Sequence, residues 1–211
     1  GVISPLLANV FLDPLDHVVV ERGWRMVRYA DDFVILCATA EEAARALDTV
    51  RAWTASVALT LHPEKTHIVN LEEFGSYFDF LGYRFRRSRH GIAPKARERI
   101  RNRIRDLTPR GRGDSLEVII ADLNRVLKGW YQYFKHASKS ALEEVDSFVR
   151  TRLRAIRWRQ QGHKGFPGPE LNRKMPTAYF AESGLFSLQT ARKLEGAARI
   201  AGRPPTGEPC A

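Results

Sequence analysis

Residues 28–36 constrain this chain most, because two adjacent carboxylates stand there between two short apolar runs. Residues 27–30 and 33–37 are each predicted to form a strand, which places Asp31 and Asp32 in the turn of a hairpin. Adjacent acids repel each other unless a cation or a proton lies between them. Mg²⁺ prefers oxygen ligands, so the pair indicates metal-assisted phosphoryl transfer. Taken alone, an Asp-Asp pair is more typical of a polar turn.

The charge of the chain changes sign along its length. Residues 1–83 hold six Lys and Arg against twelve Asp and Glu, whereas residues 84–160 hold twenty-one against eight. Residues 161–211 hold seven against four, and the net charge is +10. The acidic first part suits cations. The arginine-rich second part, with its interleaved aromatic residues, favours nucleic acid over a merely solvated surface.

Length and composition predict a folded protein of one or two domains, with 211 residues of which 44% are hydrophobic. No apolar run reaches the length of a membrane span, and no secretory signal is visible. Cys37 and Cys210 form neither a disulfide framework nor a zinc motif, which favours a reducing, cytoplasmic location of bacterial or organellar type. Because the chain starts at Gly1 within an apolar helical pattern, we expect a fragment of a longer protein.

Hydrophobic periodicity in the first part predicts two helices and two further strands. One helix begins at Ser4 as its N-cap, and the other covers residues 40–53 with Thr39 as its N-cap. The strands are predicted over residues 66–71 and 78–85.

The pattern becomes helical after a polar boundary at residues 86–94. Helices are predicted over residues 95–107, 116–134 and 140–159, and three antiparallel helices would form a small bundle. Residues 161–211 are expected to be mostly irregular, with one short helix within residues 185–200 and a frayed end over the last ten residues.

Several segments resemble motifs of reverse transcriptases, and they occur in that family's order. Residues 29–32, Tyr-Ala-Asp-Asp, resemble the catalytic hairpin, and residues 1–9 resemble the segment that passes under the template and nucleotide pocket. Residues 61–66 resemble the next motif, with His62 in place of the usual Asn, and residues 80–83 resemble the primer grip. Farther on, residues 123–134 resemble the maturase-specific region, domain X, of group II intron-encoded proteins.

The resemblance to a group II intron-encoded reverse transcriptase/maturase covers about three quarters of the chain. It implies an α+β fold in which residues 1–90 form the second half of a polymerase palm, an antiparallel sheet with packed helices. Residues 91–160 would form a three-helix thumb/maturase bundle, and residues 161–211 a tail.

What the resemblance implies about activity is RNA-directed DNA synthesis with Mg²⁺ and a maturase role in intron splicing. The expected partners are group II intron RNA, an RNA template, a DNA primer and dNTPs, with no membrane. The sequence leaves a homodimer open.

Candidate site residues follow from the motifs. The resemblance implies catalytic and metal-binding roles for Asp31 and Asp32. It implies nucleotide or template contacts for Gly1, Ser4, Pro5, Tyr29, Ala30 and Lys65. It implies a primer grip at Phe80, Leu81 and Gly82. The basic helical part predicts RNA contacts from Arg97, Arg101, Arg105, Lys128, Tyr131 and Tyr133, whereas Trp130 and Phe134 fit the buried stripe.

Family members need a third metal-binding Asp, located before the segment that opens this chain. We therefore expect the 211-residue chain alone not to polymerise, although the full protein would. Three alternatives remain: a non-catalytic intron-RNA-binding splicing factor, a reverse transcriptase of another lineage such as a retron or CRISPR-associated enzyme, and a small helical interaction protein. The last would leave the charge division unexplained.

Overall fold

A computed structural model describes residues 3–165 and 170–201 of the chain. The chain divides into two compact units, Gly1–Ser88 and Arg89–Ala211. The first unit mixes helices with antiparallel strands, and the second is mainly helical. The predicted α+β class is therefore confirmed.

The first unit is built from two helices packed on a hairpin. Its elements begin with α1 (Ser4–Glu21), β1 (Arg25–Tyr29), β2 (Asp32–Leu36) and α2 (Ala40–Ser56). Apolar residues of both helices meet in a small core cluster, against which side chains of β1 and β2 pack, as their spacing predicts. The buried members of the cluster are Leu12, Leu15, Val19 and Val50.

The two helix starts differ in how well the sequence predicts them. Thr39 caps α2 as expected, since its hydroxyl accepts a hydrogen bond from the backbone N–H of Glu42 at 3.1 Å. Ser4 does not cap α1, however, because it is the first helical residue and Ile3 occupies the N-cap without a side-chain bond. The predicted role of Ser4 as N-cap is therefore wrong.

A second hairpin follows where one strand was predicted. β3 (Phe78–Phe80) pairs antiparallel with β4 (Tyr83–Arg86), and Phe80 lies opposite Tyr83. Leu81 and Gly82 form the turn with φ values of 49° and 79°, a backbone typical of the tightest hairpins. Gly82 thus marks a turn and not a bulge within a strand. The strand predicted over residues 66–71 is also absent, and this segment is irregular.

The second unit contains the three predicted long helices. It opens with β5 (Arg89–Ile92), followed by α3 (Pro94–Leu107), α4 (Leu116–Phe134) and α5 (Lys139–Gln160). Helices α3, α4 and α5 end within one residue of the predicted ends. Their apolar stripes face each other and are almost entirely buried: Ile100, Ile104, Ile119, Ile120, Leu123, Leu127, Leu142, Val145, Val149, Leu153 and Ile156.

The expectation of a mostly irregular tail is wrong for residues 170–201. They form α6 (Glu170–Lys174), α7 (Thr177–Glu182) and α8 (Leu188–Ala201). Helix α8 confirms the one short helix predicted within residues 185–200, and it packs against α4 and α5. Residues 202–211, where a frayed end is predicted, lie outside the described part.

Two polar side chains of the long helices hold the start of α8. Asp146 of α5 is buried and accepts hydrogen bonds from the hydroxyl of Ser187 and the backbone N–H groups of Leu188 and Gln189. Asn124 of α4 bonds the carbonyl of Gly184 and the N–H of Phe186. The bonds from Asp146 satisfy N–H groups at the start of α8, and the bonds from Asn124 hold the loop before it. The tail segment is thus part of the core of the second unit.

None of the helices in the described ranges is both long enough and apolar enough to cross a membrane.

Candidate functional site

The turn of the first hairpin is one residue earlier than predicted. Tyr29 pairs with Asp32, so the turn consists of Ala30 and Asp31, and Asp32 is the first residue of β2. Ala30 has a φ of 55°, in the left-handed region that alanine rarely occupies. Both carboxylates nevertheless stand together at the tip of the hairpin, and both residues are exposed.

Arg28 fixes this turn to helix α1. Its Nε donates to Asp16 Oδ1 at 2.8 Å, and its Nη2 forms a further short contact with the same carboxylate. Its Nη1 donates to Asn9 Oδ1 at 2.9 Å and to the carbonyl of Ala30 at 3.0 Å. The hydrogen bond to Asp16 raises the pKa of Arg28 above its ordinary value despite burial, which opposes it. The guanidinium therefore holds the backbone of the strained turn against the helix.

The tip of the hairpin lies beside an open apolar groove of about 510 Å³. Asp31 lines it, together with a face of α1 and one loop residue: Leu7, Ala8, Val10, Phe11, Leu12 and Leu59. The structure thus brings two of the predicted motifs together, the opening helix and the carboxylate pair. Because the walls are apolar and one carboxylate stands at the edge, the groove suits a ligand with an apolar part beside a cation.

The carboxylate pair supplies part of a metal site. Asp31 and Asp32 offer oxygen ligands of the kind that Mg²⁺ prefers, and a solvent-exposed tip leaves room for the waters that this ion retains. Within residues 3–165 and 170–201, no group of three or more His, Cys, Asp or Glu could hold a metal ion. The pair therefore fits Mg²⁺ as two ligands of a larger set.

The other residues predicted to contact nucleotide or template are dispersed over the first unit. Ser4 and Pro5 are exposed at the start of α1, and Lys65 is exposed in a loop. Tyr29 exposes 67% of its surface beside Asp32. Gly1 lies outside the described residues. Tyr29 and Ala30 are thus adjacent to the carboxylates.

The residues predicted as a primer grip lie at the second hairpin turn, formed by Leu81 and Gly82. A salt bridge between Arg84 and Asp79 spans the two strands, with Nε to Oδ1 at 2.8 Å and Nη2 to Oδ2 at 2.8 Å. The guanidinium of Arg84 also lies 3.7 Å from the ring centre of Tyr77. Leu81 and Gly82 are half-exposed, and the salt bridge ties together the two strands that flank their turn.

The predicted arginine stripe of α3 faces α5. Arg97 and Arg101 contact Glu144 at 2.8 and 3.6 Å, and Arg105 contacts Glu98 at 2.7 Å. Arg101 also lies 4.7 Å from the ring centre of Phe148. These arginines are therefore engaged within the protein.

A second basic stripe on α3 points away from these contacts. Lys95, Arg99 and Arg103 are exposed, and no ion pair involves them within the described ranges. Residues two positions apart lie nearly opposite each other on a helix, which explains why one set is paired and the other is not.

The aromatic residues of α4 differ in how far they are buried. Tyr131 is only 2% exposed and lies 5.8 Å from the ring of Phe186, so the expectation of a surface role for it is wrong. Phe134 is buried as predicted, whereas Trp130 is half-buried. Tyr133 is 53% exposed, and Lys128 is exposed on the same helix. The helical period places Tyr131 on the buried apolar face of α4.

Two residues of the motifs have structural roles that the sequence did not predict. Arg28 is the partner that holds the carboxylate turn, and Asn124 holds the loop before α8. For Arg28 the partners Asn9 and Asp16 lie on another element, α1, and no local pattern of the sequence pairs them with the strand. For Asn124 the partner atoms are backbone groups sixty residues away, for which the sequence contains no signal.

Comparison with protein-family models gives two matches along this chain. Residues 1–85 match the model described as "Reverse transcriptase (RNA-dependent DNA polymerase)". Residues 97–174 match "Group II intron, maturase-specific domain". A search of curated proteins found no match.

The two matches define a protein of the reverse transcriptase class joined to an intron-specific domain. The chain consists of the C-terminal part of a reverse transcriptase domain followed by the maturase-specific domain of group II intron proteins. The resemblance seen in the motifs is therefore confirmed.

Proposed function

We propose that this chain contributes to RNA-directed DNA synthesis through its hairpin carboxylates and binds group II intron RNA through its second unit. The observation that carries the catalytic part is the exposed Asp31–Asp32 tip, tied by Arg28 to α1 beside the groove. The family match supports the same reaction class.

Asp31 and Asp32 are the proposed ligands of Mg²⁺. The ion, when bound, would polarise a phosphate and activate the attacking hydroxyl of a primer. Arg28 positions the two carboxylates and contacts neither metal nor substrate. Tyr29 and the apolar groove would take the sugar and base of a nucleotide. Lys65 is exposed and offers an ammonium to phosphate.

Intron RNA is the proposed partner of the second unit. Lys128 and Tyr133 are exposed and suit phosphate and base contacts. On α3, Lys95, Arg99 and Arg103 can reach phosphates without breaking an ion pair. The predicted contacts from Arg97, Arg101 and Arg105 would require those side chains to exchange Glu144 and Glu98 for phosphate.

Template RNA, a DNA primer and dNTPs are the proposed substrates, with Phe80, Leu81 and Gly82 as the primer grip. Splicing assistance and a cytoplasmic location remain proposals, the second based on two widely separated cysteines.

The 211-residue chain alone is expected not to extend a primer. The two carboxylates at the hairpin are too few to complete a site for Mg²⁺, since no third acidic group joins them among the described residues. The test is primer extension on an RNA template with purified chain, Mg²⁺ and dNTPs. Asp31→Asn with Asp32→Asn is the matched control. DNA synthesis by the unaltered chain would overturn the expected inactivity. If the double variant then made no DNA, the result would support the role of the carboxylates.

The catalytic role is tested in a longer protein that supplies the rest of the reverse transcriptase domain. Asp31→Ala with Asp32→Ala should abolish DNA synthesis and leave RNA affinity unchanged, because the basic surface lies in the other unit. If the unaltered longer protein binds RNA but makes no DNA, the chain acts as a non-catalytic splicing factor.

A further inference from the structure

We infer that the outward face of α4 around Gly129 is a docking surface for an RNA sugar–phosphate backbone. This surface, here called the Gly129 face, comprises Arg125, Lys128, Gly129, Gln132 and Tyr133. The inference rests on the proposed RNA binding of the second unit and identifies where on that unit the backbone approaches most closely.

Gly129 lies in the middle of α4, where glycine is the least favourable residue after proline. Its φ is not in the left-handed region. Apart from its chain neighbours and the backbone of its own helix, no atom of the described residues lies within 4 Å of the position a Cβ would occupy. Neither the backbone nor the packing of this chain therefore requires a glycine here. What a missing side chain provides at an exposed helical position is close access for another molecule.

The neighbours of Gly129 have the chemistry of a polyanion surface. Arg125 lies one helical turn before it and Tyr133 one turn after it, while Lys128 and Gln132 flank it. All four are exposed. Lys128 has no ion-pair partner within the described part, and Arg125 makes one long contact of 3.4 Å with Asp122 while its side chain remains 81% exposed.

The acid nearest this face is already engaged elsewhere. Asp122 Oδ2 accepts a hydrogen bond from Arg112 at 2.6 Å, and this bond holds the pKa of Asp122 below its ordinary value. Arg125 is therefore available to an external anion.

An RNA backbone fits this face better than a protein surface does. The second unit carries twenty-five Lys and Arg against twelve Asp and Glu over residues 89–211. A phosphate chain crossing α4 at Gly129 would meet Arg125 and Lys128, and Tyr133 offers a ring for a sugar or an unpaired base. Gln132 can bond a 2′-hydroxyl. Among the described residues of α4, Val118 and Tyr133 are the large apolar side chains that are exposed, a small area for a protein partner.

The decisive variant is Gly129→Ala, which changes folding and binding in opposite directions. Alanine is the better helix former, so the melting temperature should rise by about 2–4 °C. The added methyl group should hold the backbone away, and affinity for a fluorescein-labelled RNA stem-loop should fall about tenfold by fluorescence anisotropy. Because the variant is expected to be more stable, misfolding cannot explain weaker binding.

Gly196→Ala is the matched control. Gly196 lies in α8, is exposed, and likewise has no atom within 4 Å of a Cβ position. This variant should gain similar thermal stability and bind RNA as the unaltered chain does. Arg125→Ala and Lys128→Ala should each reduce the slope of log affinity against log salt by about one.

Equal RNA affinity of Gly129→Ala and Gly196→Ala would overturn the Gly129 face while leaving RNA binding intact. A Gly129→Ala variant with unchanged affinity but altered self-association would show that a protein surface docks here instead. If the unaltered chain does not bind RNA in a salt-dependent manner, the proposed RNA binding of the second unit fails, and the Gly129 face with it.

Discussion

The two units differ in how completely each buries its apolar residues. Among the described residues, five apolar side chains are buried in the first unit and twenty-one in the second. Thirteen large apolar side chains are exposed in the first unit and three in the second. Since burial of apolar surface is the main stabilising term in folding, we expect the second unit to be the more stable of the two, and the first leaves more apolar surface exposed.

Part of the exposed apolar surface of the first unit lies beside the hairpin carboxylates. One face of α1 supplies Leu6, Leu7, Val10 and Phe11, and three of these residues line or border the groove beside Asp31. The second unit instead exposes charge. The first unit therefore presents apolar walls and two carboxylates, whereas the second unit presents cationic side chains.

Core truncation in the second unit should give the largest effect on stability. Leu123 is fully buried, so Leu123→Ala should lower the free energy of unfolding by about 3–4 kcal/mol through lost burial and a residual cavity. Urea denaturation followed by tryptophan fluorescence measures this. Leu194→Ala, at an exposed position on α8, is the control and should change stability by less than about 0.5 kcal/mol.

Tryptophan reporters can assign that effect to one unit. Trp24 and Trp53 lie in the first unit, and Trp130 and Trp158 in the second. With the first pair replaced by Phe, the Leu123→Ala transition should move to lower urea, and with the second pair replaced it should not. A shift seen equally by both reporters would show that the units unfold as one and would break the comparison.

Asp146→Ala should have the next largest effect. It leaves the N–H groups of Leu188 and Gln189 without their acceptor in a buried place, at a cost of about 2–3 kcal/mol. Hydrogen exchange should show α8 losing protection before α4 and α5 do. Asp106→Ala, an exposed acid on α3, should leave α8 protected. Equal protection of α8 in both variants would mean that packing alone holds this helix.

Arg28→Met should destabilise the first unit by about 1–2 kcal/mol, because the carboxylate of Asp16 and the carbonyl of Ala30 lose their donor. Thermal unfolding read from the Trp24 and Trp53 reporters measures this. Arg22→Met is the control, since within the described ranges Arg22 donates one side-chain hydrogen bond, to the carbonyl of Val18 at the exposed end of α1. If both substitutions have the same effect, the turn does not depend on the helix.

The smallest expected effect is on the pH dependence of the melting temperature. The bond from Arg112 lowers the pKa of Asp122 from its ordinary value of 3.8, so the folded state holds the ionised form. This contribution is present above pH 3.8 and is lost as pH falls through the lower value in the folded protein. In Asp122→Asn that part of the acid sensitivity should disappear from a melting-temperature profile. An unchanged profile would show that Arg112 is satisfied by Asp114 alone.

The sequence predicted the long helices because their apolar residues repeat with the helical period over several turns, as in α4. It placed the first hairpin one residue too late because the turn requires Ala30 in a backbone region that alanine rarely adopts. It missed the second hairpin for a related reason, since Leu81 shares the turn with Gly82. Local patterns do not reveal which residue accepts a positive φ.

Of the tail helices, α8 coincides with the helix predicted within residues 185–200, whereas α6 and α7 escaped prediction. α6 and α7 have five and six residues, too few for a stable periodic signal, and side chains of Asp146 and Asn124 hold the start of α8. At the candidate site, Asp31 and Asp32 could be identified from the sequence. The guanidinium that positions them could not, since its partners come from another element.

The bonds of Arg28 imply that the Tyr-Ala-Asp-Asp hairpin is not a portable module. Its turn is anchored to Asn9 and Asp16, so a peptide of residues 24–37, or a graft of these residues onto another sheet, would carry the carboxylates without the element that orients them. Transplanting the geometry would require the helix and the strand pair together. The smallest transferable piece is therefore defined by a bond between elements and not by the length of the motif.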